Sequence, residues 1–174
     1  MKMKLPEIAN IAEIIGAIAI VISLIYVGVQ IEDSSRAVRS TSATETSAAL
    51  SSWYSNLANN RESSELFWKG MTNPESLSPE EKFRFIINAH GLFWLYQSSY
   101  YLTQERTLDK EFGETIMKTM LGLRELPGFK VFWDQRGNLF KNDFRRAIDE
   151  LLANGTTNIT VERLYRKPES EKTR

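Results

Sequence analysis

Apolar residues fall along this chain in two regimes. From Ile8 to Ile31 they run almost without interruption, and the sixteen positions from Ile14 to Val29 admit only Ser23 and Tyr26 as mild exceptions. Beyond that stretch they recur with the 3.6-residue period of helices that bury one face. A helix that crosses a bilayer needs about 20 consecutive apolar residues. The first regime therefore predicts a transmembrane span, and the second a helical domain. A cleaved secretory signal competes, with Lys2 and Lys4 as its charged start. Such a signal has an apolar region of roughly 7 to 15 residues ending at a small-residue cleavage site. This stretch is longer and leaves through Tyr26, Gln30, Glu32 and Asp33. A buried core helix is favoured only by Glu13, because Ile-, Val- and Ala-rich turns on every face leave no solvated side. The expectation is an uncleaved anchor over residues 1–33.

From Ser34 to Asn60 the chain is rich in Ala, Ser and Thr, has no Gly or Pro, and carries Leu50, Trp53, Tyr54 and Leu57 at helical spacing. The anchor is expected to continue as one long juxtamembrane helix that breaks at Asn59-Asn60. A short helix over Arg61–Met71 ends at Thr72-Asn73-Pro74. Ser78-Pro79-Glu80-Glu81 has the form of a capping box with Pro at the first helical position, which starts a helix reaching Gln104. Its stripe of Phe83, Ile86, Ile87, His90, Phe93, Trp94, Gln97 and Tyr101 predicts the buried face. A helix from Asp109 to Leu126 follows, with Phe112, Ile116, Met120 and Leu123 inward and Pro127-Gly128 as its stop. Phe129–Arg136 and Asn142–Asn154 read as the last two helices, with Gly155 as a C-cap. The fold class is all-α: a transmembrane helix running into a small helical bundle over residues 34–155. Residues 156–174 read as an extended piece, Ile159 to Tyr165, and a charged tail expected to be disordered.

Composition narrows the function classes. The 22 basic and 22 acidic residues cancel and are scattered, which leaves no footprint for a nucleic-acid partner. Cysteine is absent, so disulfides, thiol chemistry and thiolate metal sites are excluded, whichever side of the membrane the domain occupies. Lys2, Lys4 and the amino terminus stand against Arg36 and Arg39 across the span; a margin of one charge does not set its orientation. Asn154-Gly155-Thr156 and Asn158-Ile159-Thr160 match a glycosylation triplet that also arises by chance.

Candidate chemistry is sparse. His90 is the only histidine, which rules out multi-histidine metal sites and leaves a catalytic triad dependent on this one residue. On the apolar stripe it reads as a hydrogen-bonded core or interface histidine, with a general-base or pH-sensing role as the sharper alternative. A di-iron carboxylate site would want Glu three residues before it, where Ile87 stands. Glu111 with Glu114, and Asp149 with Glu150, read as solvated surface. No phosphate-cradling glycine loop or nucleophile elbow occurs. The expectation is no enzyme, no cofactor and no metal. Trp53, Trp68, Trp94 and Trp133 could frame an apolar pocket or meet lipid headgroups, and core packing is the favoured reading.

The anchor's small residues are ordered. Ala9, Ala12, Gly16, Ala19 and Ser23 are spaced 3, 4, 3, 4, which is the heptad seam of a left-handed helix pair. At the same period the seam passes Tyr26, Gln30, Asp33, Ala37, Ser40, Thr44, Ser47, Ser51 and Tyr54. In lipid, helices associate by close backbone packing and interhelical hydrogen bonds, and such a stripe suits both. Two functions follow. One is a structural or interaction subunit, partnered by membrane lipid and by itself or other membrane subunits. The alternative is a pore-forming or sensing homo-oligomer with Ser23 and Gln30 on an axial cavity.

The layout resembles a large group of bacterial single-pass membrane proteins with a short amino-terminal anchor and a compact helical domain. The resemblance rests on Ile11-Ala12-Glu13-Ile14-Ile15-Gly16-Ala17-Ile18-Ala19 leading to Tyr26-Val27-Gly28-Val29-Gln30-Ile31, then Gly70, Asn73-Pro74-Glu75-Ser76-Leu77-Ser78, Tyr100-Tyr101, and Pro127-Gly128 ahead of Trp133. Members of that group usually carry more Arg after the anchor and often a Gly in the turn after the tyrosines, where this chain has Glu105-Arg106-Thr107. The resemblance implies a bacterial inner (plasma) membrane and transfers no catalytic residue.

Overall fold

A polar pair, Asn59-Asn60, follows the longest run of helix-compatible sequence in the chain, and the first helix ends there. The computed structural model describes residues 5–155, with side chains from residue 9 onward. Regular structure among these residues is entirely helical. The chain divides into two compact units, Met1–Thr41 and Ser42–Arg174, and helix α1, Leu5–Ala58, contributes to both. The expected extended piece, charged tail and second glycosylation triplet lie outside the described residues.

In the first unit, α1 is long and apolar enough to cross a membrane, and none of its most apolar 18-residue window is buried in the chain. Ile14, Ile18, Val21, Ile25 and Val29 are all exposed. The helix then turns polar, with a Glu32–Arg36 pair at 2.5 Å one turn apart.

In the second unit, the last turns of α1 lie against the bundle. Ala43, Leu50 and Trp53 pack onto its core, Thr46 is buried beside them, and the Trp53 indole donates to the Asn88 carbonyl at 3.4 Å. Helix α2, Arg61–Thr72, starts where the Asn60 side chain accepts from the Ser63 amide. Helix α3, Pro79–Gln104, starts on the full capping box, with Ser78 and Glu81 exchanging bonds. It ends in a Schellman turn: Arg106 adopts φ 58, and its amide and that of Thr107 return to the carbonyls of Thr103 and Leu102. Helix α6, Asn142–Asn154, completes the bundle. The buried Gln97 side chain accepts from the amide of Lys141 at its start.

Several expectations need correction. The buried face of α3 is Phe85, Ile86, Ala89, Leu92, Phe93 and Tyr96, whereas Phe83, Ile87 and Trp94 are exposed at 64%, 48% and 53%. The true face is rotated by about 100°, the angle of one residue on a helix. The reason is that α3 carries large apolar residues on two adjoining faces, so periodicity alone cannot select one. The helix expected over Asp109–Leu126 is α4, Lys110–Lys118, followed by a 3-10 segment, Thr119–Leu123. The Thr119 hydroxyl there donates to the Ile116 carbonyl and meets the Tyr96 hydroxyl, at 2.7 and 2.9 Å. Pro127 does not stop that helix; it opens α5, Pro127–Arg136, at the position where its missing N–H costs nothing. Gly155 is the C-cap of α6 as expected, its amide donating to the Leu151 carbonyl at 2.7 Å, with φ −68 rather than a left-handed value. A side chain there would meet the Leu151 carbonyl at 2.4 Å and Leu121 at 2.6 Å. Close packing, not chirality, is served by this glycine.

The core is a lattice of rings around Phe93, with Phe132 at 4.7 Å, Trp133 at 5.5 Å and Tyr96 at 5.6 Å between centroids. Glycines let the helices approach. A Cβ on Gly70 would lie 2.2 Å from the Phe85 ring, and one on Gly128 would lie 2.0 Å from the Gly70 carbonyl oxygen. Helices α2 and α5 thus touch backbone to backbone.

Candidate functional site

The residues of the small-side-chain seam, Ala9, Ala12, Gly16, Ala19, Ser23 and Gln30, are all exposed on α1. Among the described residues, nothing beyond the helix's own backbone lies within 4 Å of the space a Cβ on Gly16 would fill. On the bundle stretch of α1, the seam's continuation through Thr44, Ser47, Ser51 and Tyr54 is also exposed, while Ala43, Thr46, Leu50 and Trp53 face the core. The continuation is therefore a separate face from the one that packs.

His90 sits half-buried among rings, 5.0 Å from Phe140 and 6.0 Å from Trp94. The expected hydrogen bond is missing at its Nδ1, which is buried without a partner because its surroundings are aromatic. Burial first, and then the charge of Arg136, holds its pKa below the usual histidine value. Glu111, Glu114, Asp149 and Glu150 are all exposed. Asp149 accepts from the Trp133 indole at 2.9 Å, and Glu114 pairs loosely with Lys110 at 3.7 Å. Among the described residues no three His, Asp or Glu side chains come together as a metal cluster would require.

The tryptophans separate into two groups. Trp133 lies in the ring lattice, stacked on Phe140 at 5.8 Å, and Trp94 is exposed. Trp53 and Trp68 instead line an apolar pocket of about 450 Å³ in the second unit. Its floor is Met71, Leu92 and Tyr96, each 2% exposed. Phe67, Leu123 and Leu126 form its sides, and the half-exposed Tyr54 and Trp68 stand at its rim. Five segments supply these residues: the end of α1, α2, α3, the 3-10 segment after α4, and the link to α5. No charged side chain is among them. Its polar atoms gather where the Tyr96 and Thr119 hydroxyls meet at 2.9 Å. Burial foremost, with the nearby Tyr54 hydroxyl next, drives the Tyr96 pKa far above the ordinary phenol value, so this end of the pocket is neutral. Sequence periodicity does not reveal the pocket; its only local signal is the aromatic spacing of Trp53-Tyr54 and Phe67-Trp68.

Comparison with protein-family models, with curated proteins and with solved structures finds no match to this chain.

Proposed function

We propose that this chain is a single-pass protein of a bacterial inner membrane. In this reading it works by association, as a subunit of a homo-oligomeric or larger membrane complex that holds its helical domain beside its neighbours. The observation that supports this is the exposure of the apolar run of α1. That run is apolar on most of its surface and carries one stripe of small residues, all of them exposed among the described residues. Exposed to lipid, such a stripe leaves backbone accessible for a second helix to pack against, which is the main attraction between helices where no hydrophobic force acts. The bundle complements this reading with a dense aromatic core.

The test is gentle detergent extraction from native membranes, followed by mass determination of the particle that contains the chain. A discrete multiple of its own mass, or a fixed set of accompanying subunits, is expected. Gly16→Ile should break that particle down, because its side chain would fill the approach the seam leaves open, while Ile18→Val on a lipid-facing position should leave it whole. A lone monomer for the unmodified chain refutes the reading.

A further inference from the structure

We infer that the pocket between α1, α2 and α3 is a binding site for a neutral amphiphile: an apolar chain or small ring system ending in a single hydroxyl or carbonyl. Size supports a small-molecule site, since 450 Å³ falls within the roughly 300 to 1,000 Å³ typical of such pockets. The walls exclude charge. With no Lys, Arg, Asp, Glu or His among the lining residues, a charged group drawn inside loses its hydration with no counter-ion to replace it. The polar end selects the ligand's terminus. Thr119 commits its proton to the Ile116 carbonyl and also meets Tyr96, while every hydroxyl retains lone pairs that can accept. A ligand hydroxyl can donate to this pair, and a ligand carbonyl can take the Tyr54 proton at the rim. The remaining surface is aromatic and aliphatic, which suits hydrocarbon. Trp53 contributes only its ring, because its N–H is already given to the Asn88 carbonyl.

This site is independent of the seam, so it stands or falls separately from the association proposed above. The test uses the full chain in phosphatidylcholine vesicles and a decanol bearing a photoactivatable diazirine, with labelled residues mapped by mass spectrometry. Labelling is expected at Trp53–Leu57, Phe67–Met71 and Thr119–Leu126, with the apolar span labelled as an internal reference. Unlabelled decanol should compete at the pocket at least tenfold better than decanoate. Leu123→Trp, which fills the pocket from a half-buried position, should reduce pocket labelling at least tenfold with span labelling and helix content unchanged. Tyr96→Phe should keep the label in place but erase the preference for decanol over decane. Labelling that follows exposure alone, equal competition by decanoate, or an unaltered pattern in a folded Leu123→Trp variant overturns the proposal.

Discussion

Replacing Gly128 by alanine tests whether the contact between α2 and α5 holds the bundle together. The new Cβ would lie 2.0 Å from the Gly70 carbonyl oxygen and 2.5 Å from the Met71 Cα, where ordinary contact begins at 3.4 Å. Both obstacles are backbone, so no rotamer change relieves them, and the helices must part by about 1 Å in a close-packed interior. Phe85, seated against Gly70, and Phe129, beside Gly128, are 0% and 3% exposed, so the movement opens the ring lattice itself. Overpacking of this kind costs about 1 to 3 kcal/mol, and a backbone obstacle puts the cost near the upper end. Alanine returns up to about 1 kcal/mol through helix propensity. The net loss of about 2 kcal/mol corresponds to a fall of roughly 4 to 8 °C in Tm for a protein of this size. Gly91→Ala supplies the control. Gly91 is exposed in the interior of α3, with nothing within 4 Å of its added Cβ, so the same chemical change should stabilise by about 0.5 to 1 kcal/mol. Thermal unfolding of the full chain in detergent micelles, followed by near-ultraviolet circular dichroism of the aromatic core, reads both. Equal shifts for the two variants, or a Gly128→Ala midpoint within 1 °C of the parent, would refute the packing argument.

Arg106 occupies a left-handed position at φ 58 that glycine adopts without steric cost, so Arg106→Gly should raise stability by roughly 0.5 to 1 kcal/mol, whereas Arg106→Val should lower it. Urea midpoints of the two variants decide this, and a destabilised glycine variant contradicts the turn geometry. His90 predicts a pH dependence of definite sign. Its pKa is depressed in the folded chain by burial, so between that value and about 6.5 the unfolded chain binds a proton that the native chain refuses. The stability present above pH 6.5 should therefore decline as pH falls through this window. His90→Phe should flatten that segment of the midpoint-against-pH curve, and an unchanged slope in the variant would show that other groups cause it.

What the sequence reveals of this fold divides by the range of the interactions. The starts of α2 and α3 are legible because their caps, Asn60 and the Ser78–Glu81 pair, act within three residues. The inward face of α3 is not legible, because the choice between Phe85 and Phe83 is made by partners far along the chain, such as Gly70 under the Phe85 ring and Gly113 under Thr103. The 3-10 segment after α4 is hidden for the same reason, since it is fixed by a Tyr96–Thr119 contact spanning 23 residues. At the candidate site, Trp53 and Trp68 stand out as aromatic positions, yet only the fold brings them to Leu123 and Leu126. The spacing of the small residues on α1 can be read from the sequence because it is a property of one helix.

Helix α3 is apolar on two faces, one buried and one carrying Phe83, Ile87 and Trp94 outward. Solubility alone leaves two rotations of this helix nearly degenerate. Fit separates them: Phe85, on the inward side with the buried Ala89 and Ser99, lies so close to Gly70 that a Cβ there would come within 2.2 Å of its ring. The bundle therefore obtains its single native state from a gap in steric fit rather than from a gap in hydrophobicity. For folding, this means that collapse can precede the choice of rotation. Mutations that enlarge Ala89 should act less by weakening the native state than by making the alternative rotation its competitor.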